Sequence, residues 1–318
     1  MTTRESPLQS VQWFDERPCR LGEGPLWHPQ RQQLFWFDIL NNRLLSRFGQ
    51  QRFEWVFDQA VSAAAWVNEG RLLVAAEHSL LLLDIDSGEY QSLLPFPTTG
   101  TATRSNDGRA DPWGGYWIST MGWQEEEGAG AIYRYYRGEL QCIEDQLTIP
   151  NAICFAPGGT CAYWADTPTG IIWQQPLEPQ HGWPIGPKRP LIDFSGTNIH
   201  PDGAVVDNDG FIWNAQWGSG RVCRYTPKGQ LSQSLRFPAS QTTCPAFGGP
   251  GMKTLFVTSA ARDVEETETH AGCVFKVAVG VRGQAESRVL LPAQSTGDAP
   301  VRQARIQVTH HAVDQPGH

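Results

Sequence analysis

Four side chains that carry oxygen, Glu23, Asn106, Asn151 and Asp202, stand at the heads of short apolar segments: "EGPLW", "NDGRA", "NAICF" and "DGAVV". Carboxylate and amide oxygens gathered without Cys or His suit a hard or borderline divalent cation such as Ca²⁺, Mg²⁺ or Mn²⁺. Taken singly, each Asp or Asn has a plainer reading, because these residues favour turns for backbone reasons alone. Glu23 resists that reading. Glu has little turn preference, and in "RLGEGPLW" it stands between Gly22 and Gly24, which let the backbone approach another group closely.

The elements that must position these residues recur. Six segments align, "EGPLW" from Glu23, "SAAAW" from Ser62, "NDGRA" from Asn106, "NAICF" from Asn151, "DGAVV" from Asp202 and "TCPAF" from Thr243, at spacings of 39, 44, 45, 51 and 41 residues. Each leads through a polar or Gly-rich turn to a second apolar strand, such as "GYWIST" or "AYWADT", and then to a third, such as "AIYRYY" or "RVCRYT". Meanders of this period are the signature of a β-propeller. The expected fold is all-β, a single six-bladed β-propeller over residues 1–290, with "VQWFDE" supplying an outer strand that closes the last blade. Residues 291–318 lose the pattern and read as a loosely held tail. In such a ring the head of each repeat lies where the chain enters an innermost strand, so all six heads should surround one mouth of the central channel. Asp207 and Asp209, in "DNDG", belong by the same geometry to a hairpin at the other end of the strand and have turn work to do.

Composition supports this reading and narrows the partners. The chain has 318 residues, 40% hydrophobic and 18% charged, enough for a large core. Gly and Pro together make 55 of these residues, above the roughly 12% that is usual, and helical periodicity is nearly absent. A net charge of -8 disfavours nucleic acid and anionic membrane surfaces as partners and leaves small neutral substrates open. There is no basic segment followed by an apolar one at the N-terminus, and no apolar run long enough to span a bilayer, which reads as a cytoplasmic protein, monomeric or weakly homo-oligomeric. Seven Cys without a C-x-x-C indicate buried free thiols rather than a disulfide framework or a zinc ribbon.

Four ordered stretches, "LGEGPLWHP", "RSNDGRADPWGGYWISTMG", "IPNAICFAPGGTCAYWADT" and "HPDGAVVDNDGFIWNAQWGSGRVCRY", together resemble the gluconolactonase and regucalcin family of six-bladed propellers, also called the senescence-marker-protein family. The resemblance implies a metal-dependent hydrolase that opens a sugar lactone to the aldonic acid in carbohydrate catabolism. It implies one divalent cation (Ca, Zn, Mn, Mg or Fe(II)) held by Glu23, Asn151 and Asp202, with Asp107 close by. Arg104 and Asn106 are the implied substrate-binding residues, joined by an acid from "QEEEGAGAIY", Glu126, with Glu125 and Glu127 one step away. Asp202 is the implied catalytic residue, ligand and general base together. A carboxylate on a cation loses basicity, however, and Asp107 or a hydroxide on the cation are alternatives for the base.

Other residues have quieter readings. His28 and His200, expected near the mouth and each beside a Pro, read as turn or packing residues. The Trp residues in "LFWF", "AYWAD" and "FIWNAQW" recur at blade positions and belong to the core, while Trp217 either walls a sugar pocket or packs the rim. Two further functions compete with lactone hydrolysis: a non-catalytic propeller that binds calcium or a partner, and a promiscuous esterase or phosphotriesterase. A carboxylate and a guanidinium aimed at a channel, Glu23 and Arg104, speak against the first, and the lack of a clear His pair at the mouth speaks against the second.

Overall fold

The computed structural model describes residues 11–98, 100–292 and 299–310. Short apolar runs bounded by Gly, Asp and Asn turns form strands, and the strands pair with their sequence neighbours in six separate sheets. Blade 1 comprises Gly22–His28, Gln33–Asp38, Arg43–Phe48 and Gln51–Val56. The inner strands of blades 2 to 6 are Val61–Asn68, Thr103–Ala110, Pro150–Phe155, His200–Val206 and Thr242–Gly248. Each inner strand touches the next around the ring, and that of blade 6 touches that of blade 1, which completes a six-bladed β-propeller. Blade 6 takes its outer strand from the other end of the chain, Gln12–Asp15 pairing antiparallel with Val274–Ala278. Among the described residues helix is confined to single 3₁₀ turns, and no helix is long and apolar enough to cross a membrane.

The core is divided into the six interfaces between blades. Successive side chains of a strand point to opposite faces. In blade 4, Ile153 and Phe155 face blade 3 beside Trp117, whereas Ala152 and Cys154 face blade 5 beside Ala204 and Val206. In blade 5, Val205 turns the other way, to Phe247 and Leu255 of blade 6. Because both faces are covered, inner strands read as continuous apolar runs rather than as apolar and polar in alternation. Trp36, Trp117, Trp164 and Trp213 all fill this core. Six of the cysteines are buried and Cys142 is exposed, and none is in a disulfide. Burial pushes the thiols of Cys19, Cys154 and Cys244 well up, which leaves them inert.

The segment expected as a loose tail is in part built into the ring. Arg302–Gln303 pairs with the outer strand of blade 2, and Arg305–His310 pairs along the whole of Gln51–Val56, so blades 1 and 2 gain a fifth strand. Arg305–His310 offers only the short alternation of Ile306 and Val308; Ile306 packs against the core and the rest of this outermost strand is mostly exposed. The remainder of the expected tail, 293–298 and 311–318, lies outside the described residues.

Buried acids at the ends of strands hold the hairpins. Asp207, fully buried, accepts the backbone N–H groups of Asp209 and Phe211, the indole N–H of Trp213 and the Arg224 guanidinium. Asp111 does the same in blade 3, for Trp113, Gly115 and the buried Arg134. These carboxylates are saturated by donors, as buried anions must be. Asp207→Ala should therefore cost about 3–5 kcal/mol, because it leaves Arg224 without its buried counter-charge. Urea unfolding measures this, and an unchanged midpoint would contradict the structural role.

Candidate active site

The inner strands present polar side chains to the channel by means of bulges. In every blade the register between inner and second strand slips near the head of the repeat: at Glu23/Leu26, Val61/Ala63, Ser105/Gly108, Asn151/Cys154, Pro201/Ala204 and Thr242/Pro245. A bulge adds one residue and re-aims a side chain that would otherwise enter the interface between blades. The backbone consequences are local. Gly24 has φ +53°, and a Cβ there would meet the Ser62 carbonyl oxygen at 2.2 Å, so the residue after Glu23 has to be glycine. Ala152, after Asn151, takes φ 61°.

Four of the six repeat heads line one cavity of about 480 Å³: Glu23, Asn106, Asn151 and Asp202, together with Arg104 and Trp217. The other two do not reach it. Ser62 donates to the Ser105 hydroxyl at 2.7 Å, and Thr243 donates to the Gly22 carbonyl, so both hydroxyls serve the packing of inner strands. A chain of hydrogen bonds runs around the mouth. Arg104 donates to the Asn106 amide oxygen at 2.9 Å, Asn106 to the Asn151 amide oxygen at 3.0 Å, Asn151 to Thr167 at 3.0 Å, and Thr167 to the carbonyl of Pro201 at 2.8 Å. Pro201 immediately precedes Asp202, so Arg104, Asn106, Asn151 and Asp202 are linked through three blades.

The acidic loop and the neighbouring acid sit differently from one another. Glu125, not Glu126, lines the cavity, at φ 61°, and its carboxylate meets Arg262 at 3.0 Å. Glu126 turns back to accept the N–H of Gln124 at 3.0 Å, and Glu127 is exposed. Asp107 lies below the cavity. Its two oxygens accept the N–H groups of Gly108 at 2.8 Å and Ile153 at 2.7 Å. His200 is on the cavity rim, but His28 ends its inner strand and so lies at the far face, where Nε2 bonds the Asn68 carbonyl and Nδ1 accepts from Arg31. Sequence reasoning missed Thr167 and Arg262. Thr167 sits in "TPTG", which has the composition of any turn, and Arg262 lies in a rim loop that the repeat does not cover.

The electrostatics set the mouth apart from the hairpin acids. Glu23 and Asp202 are buried, and among the described residues neither forms an ion pair. Burial, and then the charge of Asp107, push the Glu23 carboxyl up to about 8 against the N–H of Gly24 and the more distant Arg104. Burial, then Glu23 and Asp107, raise Asp202 well above the ordinary carboxylate range. Burial lowers Arg104 to about 10, against the pull of Glu23, Glu125 and Asp202, so it stays cationic at neutral pH. Among the described residues no three His, Cys, Asp or Glu side chains gather into a metal cluster; the cavity is lined by the buried carboxyls of Glu23 and Asp202, the amides of Asn106 and Asn151, and the exposed acids Glu125 and Asp263.

Residues 21–261 match the model of the SMP-30/gluconolactonase/LRE-like region. The chain belongs to this family. A 6-deoxy-6-sulfogluconolactonase of Pseudomonas putida is 33% identical over 278 residues, covering 85% of this chain and 95% of the relative. An L-arabinolactonase of Azospirillum brasilense is 31% identical, covering 84% and 91%. Among solved structures, a calcium-binding protein of Agrobacterium tumefaciens, regucalcin, superposes with a TM-score of 0.85 at 34% identity, covering 89% of this chain and 98% of that one. The matched region of the SMP-30/gluconolactonase/LRE-like model contains all four cavity-lining repeat heads and Arg104.

The raised carboxyl pKa values carry a sign that can be measured. A folded chain that holds a proton on Glu23 binds protons the unfolded chain has released. Without a bound cation, the resulting stabilisation is complete below about pH 4.5 and is lost as the pH rises through about 8. Urea unfolding of chelator-treated protein should show stability falling across that window, and Glu23→Gln should flatten the fall. A parent protein whose stability does not fall across the window would contradict the assigned electrostatics.

Proposed function

We propose that this protein is a sugar lactonase of carbohydrate catabolism, which opens an aldonolactone to the aldonic acid with one divalent cation held by Glu23, Asn151 and Asp202. The observation that carries this reading is the pair of buried carboxylates, Glu23 and Asp202, facing a cavity without an ion-pair partner among the described residues. For both to ionise in such a place they need a counter-charge, and a divalent ion answers that need. The donors fit a hard or borderline ion, since all three offer oxygen and no thiol or imidazole joins them. Asn151 is oriented to offer its oxygen, because its N–H₂ is held by Thr167 and the oxygen accepts one bond from Asn106 and keeps a second lone pair. When bound, such a cation supplies the charge that polarises a lactone carbonyl and stabilises a developing oxyanion.

The chain's own residues supply the rest. Arg104 commits one nitrogen to the Ser105 carbonyl and the Asn106 side chain, lies over the Trp123 ring at 5.7 Å, and keeps its other N–H donors for ring hydroxyls. Trp217 walls the cavity, whose volume suits a monosaccharide lactone. Asp202 is the cavity-facing carboxylate that can take a proton from the attacking water, with Glu23 beside it as counterpart. Asp107 is committed to two backbone N–H groups below the cavity and is the weaker candidate for that proton. The names of the relatives support the class of substrate, a sugar lactone, and differ in the sugar itself.

A proton-release assay over a panel of aldono-1,4- and 1,5-lactones tests the reading. Chelation should abolish turnover and a restored divalent ion should return it. Asp202→Asn and Glu23→Gln should each lower kcat/KM by more than ~100-fold, beyond the usual loss from changing a residue that only supports a ligand. If no lactone opens above its spontaneous rate with any restored ion, while calcium still binds, the non-catalytic calcium-binding alternative replaces this one.

A further inference from the structure

The site is tethered from the far side of the ring. After the third strand of blade 6, Val274–Ala278, the chain runs across the face opposite the mouth, where the inner strands end and turn back. Residues 282–290 bond to five blades on the way. The Arg282 carbonyl accepts from Asn208, and Gly283 N–H donates to the Met252 carbonyl. Gln284 donates to the carbonyls of Phe155 and Val206, the last residues of the inner strands of blades 4 and 5. The Glu286 carbonyl accepts from the Trp66 indole, Val289 N–H donates to the Trp66 carbonyl, and Leu290 N–H donates to the Gly114 carbonyl. The family model's match ends before this strap, at residue 261.

Within the strap one acidic side chain is buried against the ring. The carboxylate of Glu286 pairs with Arg109, and their side chains are only 7% and 11% exposed. Arg109 belongs to the strand that carries Arg104, Asn106 and Asp107. Its Nε donates to the Ile153 carbonyl at 3.2 Å and its Nη2 to the Ala204 carbonyl at 3.2 Å. Those are the residues two places beyond Asn151 and Asp202: Ile153 lies within its bulge, and Ala204 is where the register resumes after the other. Ile153 is gripped twice, since its N–H donates to Asp107. The Asn151 bulge is thereby clamped between Asp107 and Arg109, and the Asp202 bulge is held by the same guanidinium.

We propose that residues 282–290 form a strap that positions the site, with Glu286 and Arg109 as positioning residues: Glu286 fixes the Arg109 guanidinium, which holds the bulges that present Asn151 and Asp202. A mere cover over the far face would need neither a buried charge nor contact with both strands. Truncating the charge frees Arg109 from its counter-ion, and the two carbonyl tethers loosen with it.

Glu286→Gln and Glu286→Asp, with amide hydrogen exchange and Mn²⁺ binding calorimetry, test the strap. In protein free of metal, the Ile153 amide should exchange on the order of tenfold faster in Glu286→Gln and close to the parent rate in Glu286→Asp, a factor usual for coupled sites. Mn²⁺ affinity should fall by a similar factor in the Gln variant alone, an arm that rests on the metal reading above. Should Glu286→Gln not fold, Trp66→Phe, which removes one strap bond and leaves the ion pair, replaces it with the same direction and a smaller effect. An Ile153 amide that exchanges at the parent rate while strap amides such as Val289 open faster would overturn the inference. A parent protein that binds no Mn²⁺ would count against the metal reading only, and the exchange experiment would still decide the strap.

Discussion

Two carboxyl groups that share one buried cavity, each resisting ionisation, are the constraint on which the rest of this structure turns. Glu23 and Asp202 would each be more stable as neutral or paired groups, and the fold has the means to pair them, because it does so elsewhere. Asp207 has Arg224, Asp111 has Arg134, and Asp38 has Arg43 with backbone and amide donors besides. At the mouth the cation that comes nearest, Arg104, is turned instead toward Ser105 and Asn106. The contrast separates acids that stabilise the ring from acids kept under electrostatic strain, and strain of that kind concentrates where chemistry is done.

The propeller makes such a site both difficult and repeatable. Its inner strands are packed on two faces, so a regular strand has no side chain free for the channel. One bulge per blade releases one, and the ring brings the released residues to a common end. Not every release is used for the same purpose: Ser62 and Thr243 turn their hydroxyls to neighbouring inner strands and stiffen the ring. Of the remaining heads, Asn106, Asn151 and Asp202 are joined sideways by the hydrogen-bond chain from Arg104 to Pro201, and the strands of Asn151 and Asp202 are held from below by Arg109. These three residues are therefore fixed by their neighbours as well as by their own strands, which is the preorganisation that a binding site requires.

Much of this was legible in the order of residues. The repeat spacing revealed six blades, because each inner strand is an apolar run that begins at a polar head, and Glu23 stood out because nothing about a turn asks for glutamate. What the sequence could not show was the direction of side chains. Ser62 and Asp202 occupy equivalent positions, and only the bulge geometry and the available partners send one to a neighbour's hydroxyl and the other to the cavity. In "QEEEG" three acids in a row carry no mark of which backbone is left-handed, and that conformation, at Glu125, decides which one faces inward. The strands at 302–310 escaped notice for another reason: they lie outside the blade repeat, and the alternation of Ile306 and Val308 is too short to mark a strand by itself.

The rim obeys a different rule from the ring beneath it. Glu125 belongs to a loop of blade 3 and Arg262 to a loop of blade 6, and these blades stand opposite each other, so their ion pair reaches over the cavity. Both side chains are more than a third exposed. Exposed pairs contribute only about 0.2–1 kcal/mol, so this one can open and re-form with little loss of stability to the fold. The deep residues cannot move in that way, since each is bound into the packing between blades. The buried residues of the mouth thus sit on rigid inner strands, while the rim above them is built of loops whose contacts can change without disturbing that frame.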